Sequence, residues 1–140
     1  MWVMTKHSDL KNAGCGALAI IIVALTFLLP ACAGAREPHE AKAAEWFEKG
    51  NSLFMSGKYQ EAIGAYTKAI ELNPKVALFY NNRGFAYRQL ENYPKAIEDY
   101  NKAIALDPAY AGAYNNRGVA YGKLGNHAQE IADYNKSIEI

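Results

Sequence analysis

The chain predicts an all-α fold: three antiparallel helix-turn-helix units, residues 43–76, 77–110 and 111–140, stacked in series as a short right-handed α-solenoid. Three observations predict it. The word Tyr80-Asn81-Asn82-Arg83-Gly84 returns unchanged as Tyr114-Asn115-Asn116-Arg117-Gly118, a spacing of 34 residues. Laid over residues 110–140, residues 76–106 are identical at 16 of 31 positions. Within each unit the apolar residues recur at helical spacing, and the first two units stop at Asn73-Pro74 and Asp107-Pro108. A period of this size marks a unit that cannot bury its apolar face alone and must stack on its neighbours.

In chain order, residues 1–35 stand apart from the repeats. Lys6 and Lys11 precede an uncharged run from Ala13 to Ala35, whose apolar heart is Ala17 to Leu29. That heart suits a secretory signal better than a full span of about 20 residues, and the preceding positive charge places the repeats across the membrane from the cytoplasm. Leu29-Pro30-Ala31-Cys32 resembles a bacterial lipoprotein box, which implies lipidation at Cys32. Cleavage after a small-x-small triplet, Ala31-Cys32-Ala33 or Ala33-Gly34-Ala35, and an uncleaved anchor are the alternatives. The expected location is therefore the periplasmic or outer face, with membrane contact through lipid or anchor. Residues 36–42, charged and containing Pro38, read as an exposed tether.

Units are numbered from Ala43, Ala77 and Ala111. In their first helices, positions 4, 8 and 11 share one face: Trp46, Gly50, Leu53; Tyr80, Gly84, Tyr87; Tyr114, Gly118, Tyr121. A glycine costs a helix roughly 1 kcal/mol relative to alanine, so its recurrence predicts close approach of another helix, the second of the same unit. Those second helices carry apolar stripes, Ala62, Ile63, Tyr66, Ala69, Ile70 and Ala96, Ile97, Tyr100, Ala103, Ile104. Gly57, Asn92 and Gly125 are expected to make the turns between helices. The third unit departs from this pattern, with Glu130 at position 20 and Ser137 at position 27, and Ile140 comes before a closing proline. Its last helix reads as uncapped and leaves Ile131, Tyr134 and Ile138 partly exposed. Self-association through that end, giving a homo-oligomer, or a truncated reading frame are the two expectations.

An aromatic residue, glycine, tyrosine, alanine, aromatic residue, alanine and proline at positions 4, 8, 11, 20, 24, 27 and 32 resemble the tetratricopeptide repeat over residues 43–140. Leu53 replaces one tyrosine, and Lys49, Arg83 and Arg117 stand where position 7 is usually aliphatic. The resemblance implies a non-catalytic protein-interaction module whose concave groove takes a peptide or partner protein. In the co-chaperones of this family, a carboxylate clamp uses positions that here hold Phe47, Asn51, Asn82, Gly112 and Asn116, so its three cations are missing. The asparagine ladder of the O-linked N-acetylglucosamine transferase repeats is matched by Asn82 and Asn116 and broken by Glu48. That match implies binding of an extended backbone.

Opposite the packing face, positions 2, 6, 9 and 13, flanked by 5 and 12, line this groove. The candidate site residues are Asn51, Asn81, Asn82, Phe85, Arg88, Asn115, Asn116 and Lys123. An asparagine amide both donates and accepts, so it serves a peptide backbone without reading sequence, or ties neighbouring helices together. Phe47, Phe54, Phe85 and Val119 offer apolar contacts, and Arg88 and Lys123 offer charge to carboxylates. Arg83 and Arg117, beside the packing face, fit inter-repeat struts.

Composition closes off other classes. Residues 43–140 hold 11 Lys/Arg and 11 Asp/Glu, without the basic face that nucleic acid requires. The three histidines, His7, His39 and His127, are scattered, and both cysteines, Cys15 and Cys32, precede the repeats, so no metal site or cofactor is expected. No nucleophile elbow, phosphate loop or H-E-x-x-H motif occurs. The sequence therefore argues against an enzyme.

Overall fold

Proline tolerates a helix's first turn because the N–H it lacks has no partner there. The first helix accordingly begins at Pro38, in a computed structural model that describes residues 38–140. Six helices follow one another: α1 (Pro38–Met55), α2 (Tyr59–Leu72), α3 (Ala77–Gln89), α4 (Tyr93–Leu106), α5 (Ala111–Lys123) and α6 (His127–Glu139). The expected tether is thus shortened, since α1 begins at Pro38 and its first turn, exposed from His39 to Lys42, carries Glu40 at its positive end. The expectations for residues 1–35, lipidation at Cys32 among them, lie outside the described residues. Among the described residues no helix is long and apolar enough to cross a membrane.

Pairs α1/α2, α3/α4 and α5/α6 pack as hairpins, and each second helix then packs on the first helix of the next unit. The result is an all-α solenoid of three units. The recurring glycine has the predicted cause. A methyl group on Gly50 would sit 2.5 Å from the Tyr66 ring, and on Gly84 or Gly118 it would sit 2.9 Å from Tyr100 or Tyr134. Only hydrogen fits between the two helices of a hairpin at that height.

The second-helix stripe forms the core. Ala62, Tyr66 and Ala69 are buried in unit one, as are Ala96, Tyr100 and Ala103 in unit two. Unit three differs as expected: Ile131 is 60% and Ile138 83% exposed, whereas their counterparts Ile63 and Ile70 are 5% and 9% exposed. Its Glu130 is accommodated by Gly122, which occupies the position of Phe54 and Arg88 and leaves room for the carboxylate.

The three hairpin turns share one hydrogen-bonding pattern. Lys58, Asn92 and Asn126 donate their N–H groups to the carbonyls of Leu53, Tyr87 and Tyr121 at 3.0, 2.9 and 2.9 Å. The residue before each takes a left-handed conformation: Gly57 at φ 74°, Glu91 at φ 58° and Gly125 at φ 77°. This corrects the assignment of the middle turn to Asn92. Asn92 instead caps α4, its Oδ1 accepting from the Lys95 N–H at 3.3 Å, and Glu91 bears the unfavourable conformation.

Arg83 and Arg117 are inter-repeat struts. Arg83 donates through Nε and Nη2 to both Asp99 oxygens at 2.9 and 2.7 Å, and through Nη1 to Thr67 of the preceding unit at 3.1 Å. Arg117 repeats this on Asp133 at 2.8 and 2.7 Å and on Asn101 at 2.6 Å. The planar fork meets one carboxylate bidentately and still reaches the neighbouring helix, which lysine's point charge does not reproduce. Burial, with Glu98 adding to it, raises the Asp99 carboxyl pKa against the pull of the guanidinium, and the hydrogen-bonded Asp99 carboxylate raises that of Arg83.

Candidate functional site

On the first helices α1, α3 and α5, asparagines at positions 5, 6 and 9 join in one chain of side-chain hydrogen bonds. Asn116 Nδ2 donates to Asn81 Oδ1 at 3.0 Å, Asn81 Nδ2 to Asn82 Oδ1 at 3.3 Å, and Asn82 Nδ2 to Asn51 Oδ1 at 3.2 Å. The Tyr66 hydroxyl ends the chain by donating to the same Asn51 oxygen at 2.9 Å. These orientations are the ones that complete the network, and they leave its two ends different. Asn51 Oδ1 accepts twice and its Nδ2 keeps both donors for the groove; Asn116 keeps its Oδ1 as an acceptor.

Position 5 faces the next unit rather than the groove. Phe47, expected to line the groove, is 8% exposed and packs on Phe79 and Tyr66 with ring centroids 4.8 and 5.7 Å apart. Asn81, at the same position one unit later, is 7% exposed and serves only the relay. Asn115, a further unit on, is exposed.

Beside the amide relay runs an aromatic rail. Tyr59 and Phe54 have ring centroids 5.2 Å apart, Phe54 stacks on Phe85 at 4.9 Å, and the Arg88 guanidinium lies 4.3 Å from the Phe85 centroid. Two cavities of about 320 Å³ each open along the rail. One, between α1 and α3, is lined by Asn51, Phe54, Met55, Tyr66, Asn82 and Phe85. The other, between α3 and α5, is lined by Arg88, Gln89, Glu91, Tyr93, Val119 and Lys123. A third recess of about 260 Å³ continues from Val119 and Lys123 to Gly122, His127, Glu130 and Tyr134. There Glu130 is already engaged, accepting from the Tyr134 hydroxyl at 3.3 Å and lying 2.8 Å from His127 Nδ1.

Of the predicted site residues, Asn51, Asn82 and Phe85 come together in the first cavity, and Arg88 and Lys123 in the second. Asn81 and Asn116 belong to the relay. Sequence reasoning missed Tyr66, Glu91 and Tyr93. For Glu91 a signal existed, because the 34-residue frame aligns it with Gly57 and Gly125.

One buried polar atom in this layer lacks a partner. Tyr100 is fully buried, and its hydroxyl makes no hydrogen bond. Its counterpart Tyr66 has Asn51 as acceptor, but in unit two that position is Phe85. Burial drives the Tyr100 pKa far above 10, and raises that of Tyr66 by a smaller amount that the Asn82 amide partly offsets.

Comparison with known proteins agrees with this architecture. The family profile described as TPR repeat matches residues 50–91 and 84–125, and the one described as Tetratricopeptide repeat matches residues 111–140. The chain belongs to the tetratricopeptide repeat family. Among curated relatives, a serine/threonine-protein phosphatase 5 of Solanum lycopersicum is 42% identical over 57 residues, 41% of this chain and 10% of the relative. An Hsp70-Hsp90 organizing protein 1 of Glycine max is 52% identical over 48 residues, 34% of this chain and 8% of the relative. The chain thus spans about a tenth of the length of the curated relatives it matches. Among solved structures, the first TPR of Spaghetti (RPAP3) bound to the HSP90 peptide SRMEEVD aligns with a TM-score of 0.70 and 38% identity. That alignment covers 71% of this chain and 79% of the other. MamA aligns with a TM-score of 0.68 and 33% identity, covering 70% and 57%.

Proposed function

We propose that this tetratricopeptide repeat domain is a non-catalytic binding module that holds an extended segment of a partner protein along its concave face. The observation that carries this reading is the pairing of the amide relay with the aromatic rail. Free amide donors at Asn51 and a free acceptor at Asn116 meet backbone groups, and the cavity walled by Phe54, Met55 and Phe85 takes an apolar side chain. Structural relatives in complex with HSP90 and HSP70 peptides support the mode. Their specific ligand is a weaker guide, because Phe47 is buried and Asn51 and Asn82 bond to each other at the positions corresponding to the carboxylate clamp.

The N-terminal segment supports placement of the module outside the cytoplasm, tethered to the membrane. Mass determination of the mature N-terminus tests this: a chain beginning at lipidated Cys32 supports it, and an unprocessed chain in the soluble cytoplasmic fraction overturns it.

The test of the groove uses Met55, 84% exposed on the cavity rim and dispensable to the core. Peptides selected from a random library on the wild-type protein should bind Met55→Asp at least tenfold more weakly, with unchanged thermal stability. Equal affinity overturns the groove assignment.

Exposed Ile131 and Ile138 favour a second reading, self-association through α6. An Ile131→Asp/Ile138→Asp variant that sediments at the same mass as wild type across the micromolar range contradicts it.

A further inference from the structure

The two larger cavities differ in chemistry. The α1/α3 cavity is walled by Phe54, Met55 and Phe85 and floored by amides. The α3/α5 cavity holds two cations, Arg88 and Lys123, against one carboxylate, Glu91. Among the described residues neither cation is in an ion pair, whereas Arg83 and Arg117 are both bound bidentately. The Arg88 guanidinium is partly buried and held on the Phe85 ring at 4.3 Å. Stacking fixes its plane and leaves its N–H edges for an incoming anion. Phe85 and Arg88 are thus the shared wall: one faces the apolar cavity, the other the cationic one.

We propose that the groove selects an extended segment carrying a large aliphatic side chain and a carboxylate about three residues apart, the aliphatic group between α1 and α3 and the carboxylate between Arg88 and Lys123. This rests on the groove reading above and adds its ligand class. The spacing follows from geometry. The cavities lie between successive first helices, which meet through side chains such as Asn51 with Asn82 and Phe54 with Phe85, so that their axes lie about one helix diameter, roughly 10 Å, apart. An extended or polyproline II chain advances about 3.1–3.4 Å per residue, so about three residues cover that distance, and in polyproline II the third residue returns to the same face. Charge complementarity selects the acid: a lysine there meets two like charges, while a carboxylate gains charge-assisted hydrogen bonds to a preoriented fork.

The experiment uses the full chain in detergent and N- and C-terminally blocked, fluorescein-labelled peptides that carry one leucine and one glutamate in a Ser/Gly background. Separation is varied from one to six residues in both orders, and anisotropy is followed at low salt. Affinity should peak at a separation of about three in at least one order. Replacing the glutamate by glutamine should weaken that peptide about five- to tenfold on the wild type, and should have no effect on an Arg88→Gln/Lys123→Gln variant. Affinity independent of spacing, or the same glutamate-to-glutamine loss in that variant, overturns the proposal. Library-selected peptides that still lose affinity to Met55→Asp would, in that event, leave the groove reading standing. Selected peptides indifferent to Met55→Asp would remove both.

Discussion

Asn116 Nδ2 donates to Asn81 Oδ1 at 3.0 Å, tying the first helix of unit three to that of unit two through an amide that is 7% exposed. Asn81→Ala removes the middle of the relay and leaves the Asn116 Nδ2 donor and the Asn82 Oδ1 acceptor without their Asn81 partner, while Asn82 keeps its bond to Asn51. The expected cost is about 1 kcal/mol in urea unfolding, the value for lost hydrogen bonds whose remaining half-exposed partners water can reach. Asn115→Ala, at the same repeat position but exposed, should stay within about 0.5 kcal/mol of wild type.

Tyr66 and Tyr100 occupy equivalent places with unequal bonding. Tyr66→Phe takes a donor from Asn51 and should cost about 1 kcal/mol. Tyr100→Phe removes a buried hydroxyl that has no partner and should be neutral or stabilising. Paired thermal melts of the two variants check the contrast.

The same tyrosine makes stability fall in alkali. Burial raises the pKa of Tyr100, and of Tyr66, Tyr80 and Tyr110, above the ordinary 10.0. Their unfolded counterparts ionise at about 10, so above that pH the unfolded chain binds fewer protons than the folded one. Stability is therefore intact below about pH 10 and declines as pH rises further. Tyr100→Phe should flatten the decline measured between pH 9 and 11.

Glu91 holds φ 58° where the two equivalent turns have glycine. Glu91→Gly should stabilise by about 1 kcal/mol, because the left-handed conformation costs a side chain about that much. Equilibrium unfolding in urea gives the sign. Gly57→Ala and Gly125→Ala should shift it the other way by a similar amount.

The elements most legible in the sequence were those whose cause is local. Gly50, Gly84 and Gly118 announced the hairpin contacts, and Pro74 and Pro108 the unit ends. Position 5 was harder. At 100° per residue it lies between the packing and groove faces, and only the approach of the next unit decides that Phe47 and Asn81 turn inward. Asn51, Asn82 and Phe85 accordingly line one cavity together, whereas Phe47, expected in the groove, is buried against Phe79. The Asp99 and Asp133 partners of the struts recurred visibly, but each lies 16 residues from its arginine on another helix, so the pairing needed the hairpin geometry.

Mapping of backbone and asparagine side-chain amide shifts decides whether a partner segment lies along the amide relay and the aromatic rail. It would be done by titrating the isotopically labelled chain with the best-binding library peptide. The shifts should converge on Asn51, Asn82, Phe85, Arg88 and Val119, leaving Lys68, Lys102 and Ile138 unmoved. Shifts confined to α6 and the outer faces of α2 and α4, with the Asn51 and Asn82 amides undisturbed, would contradict that placement.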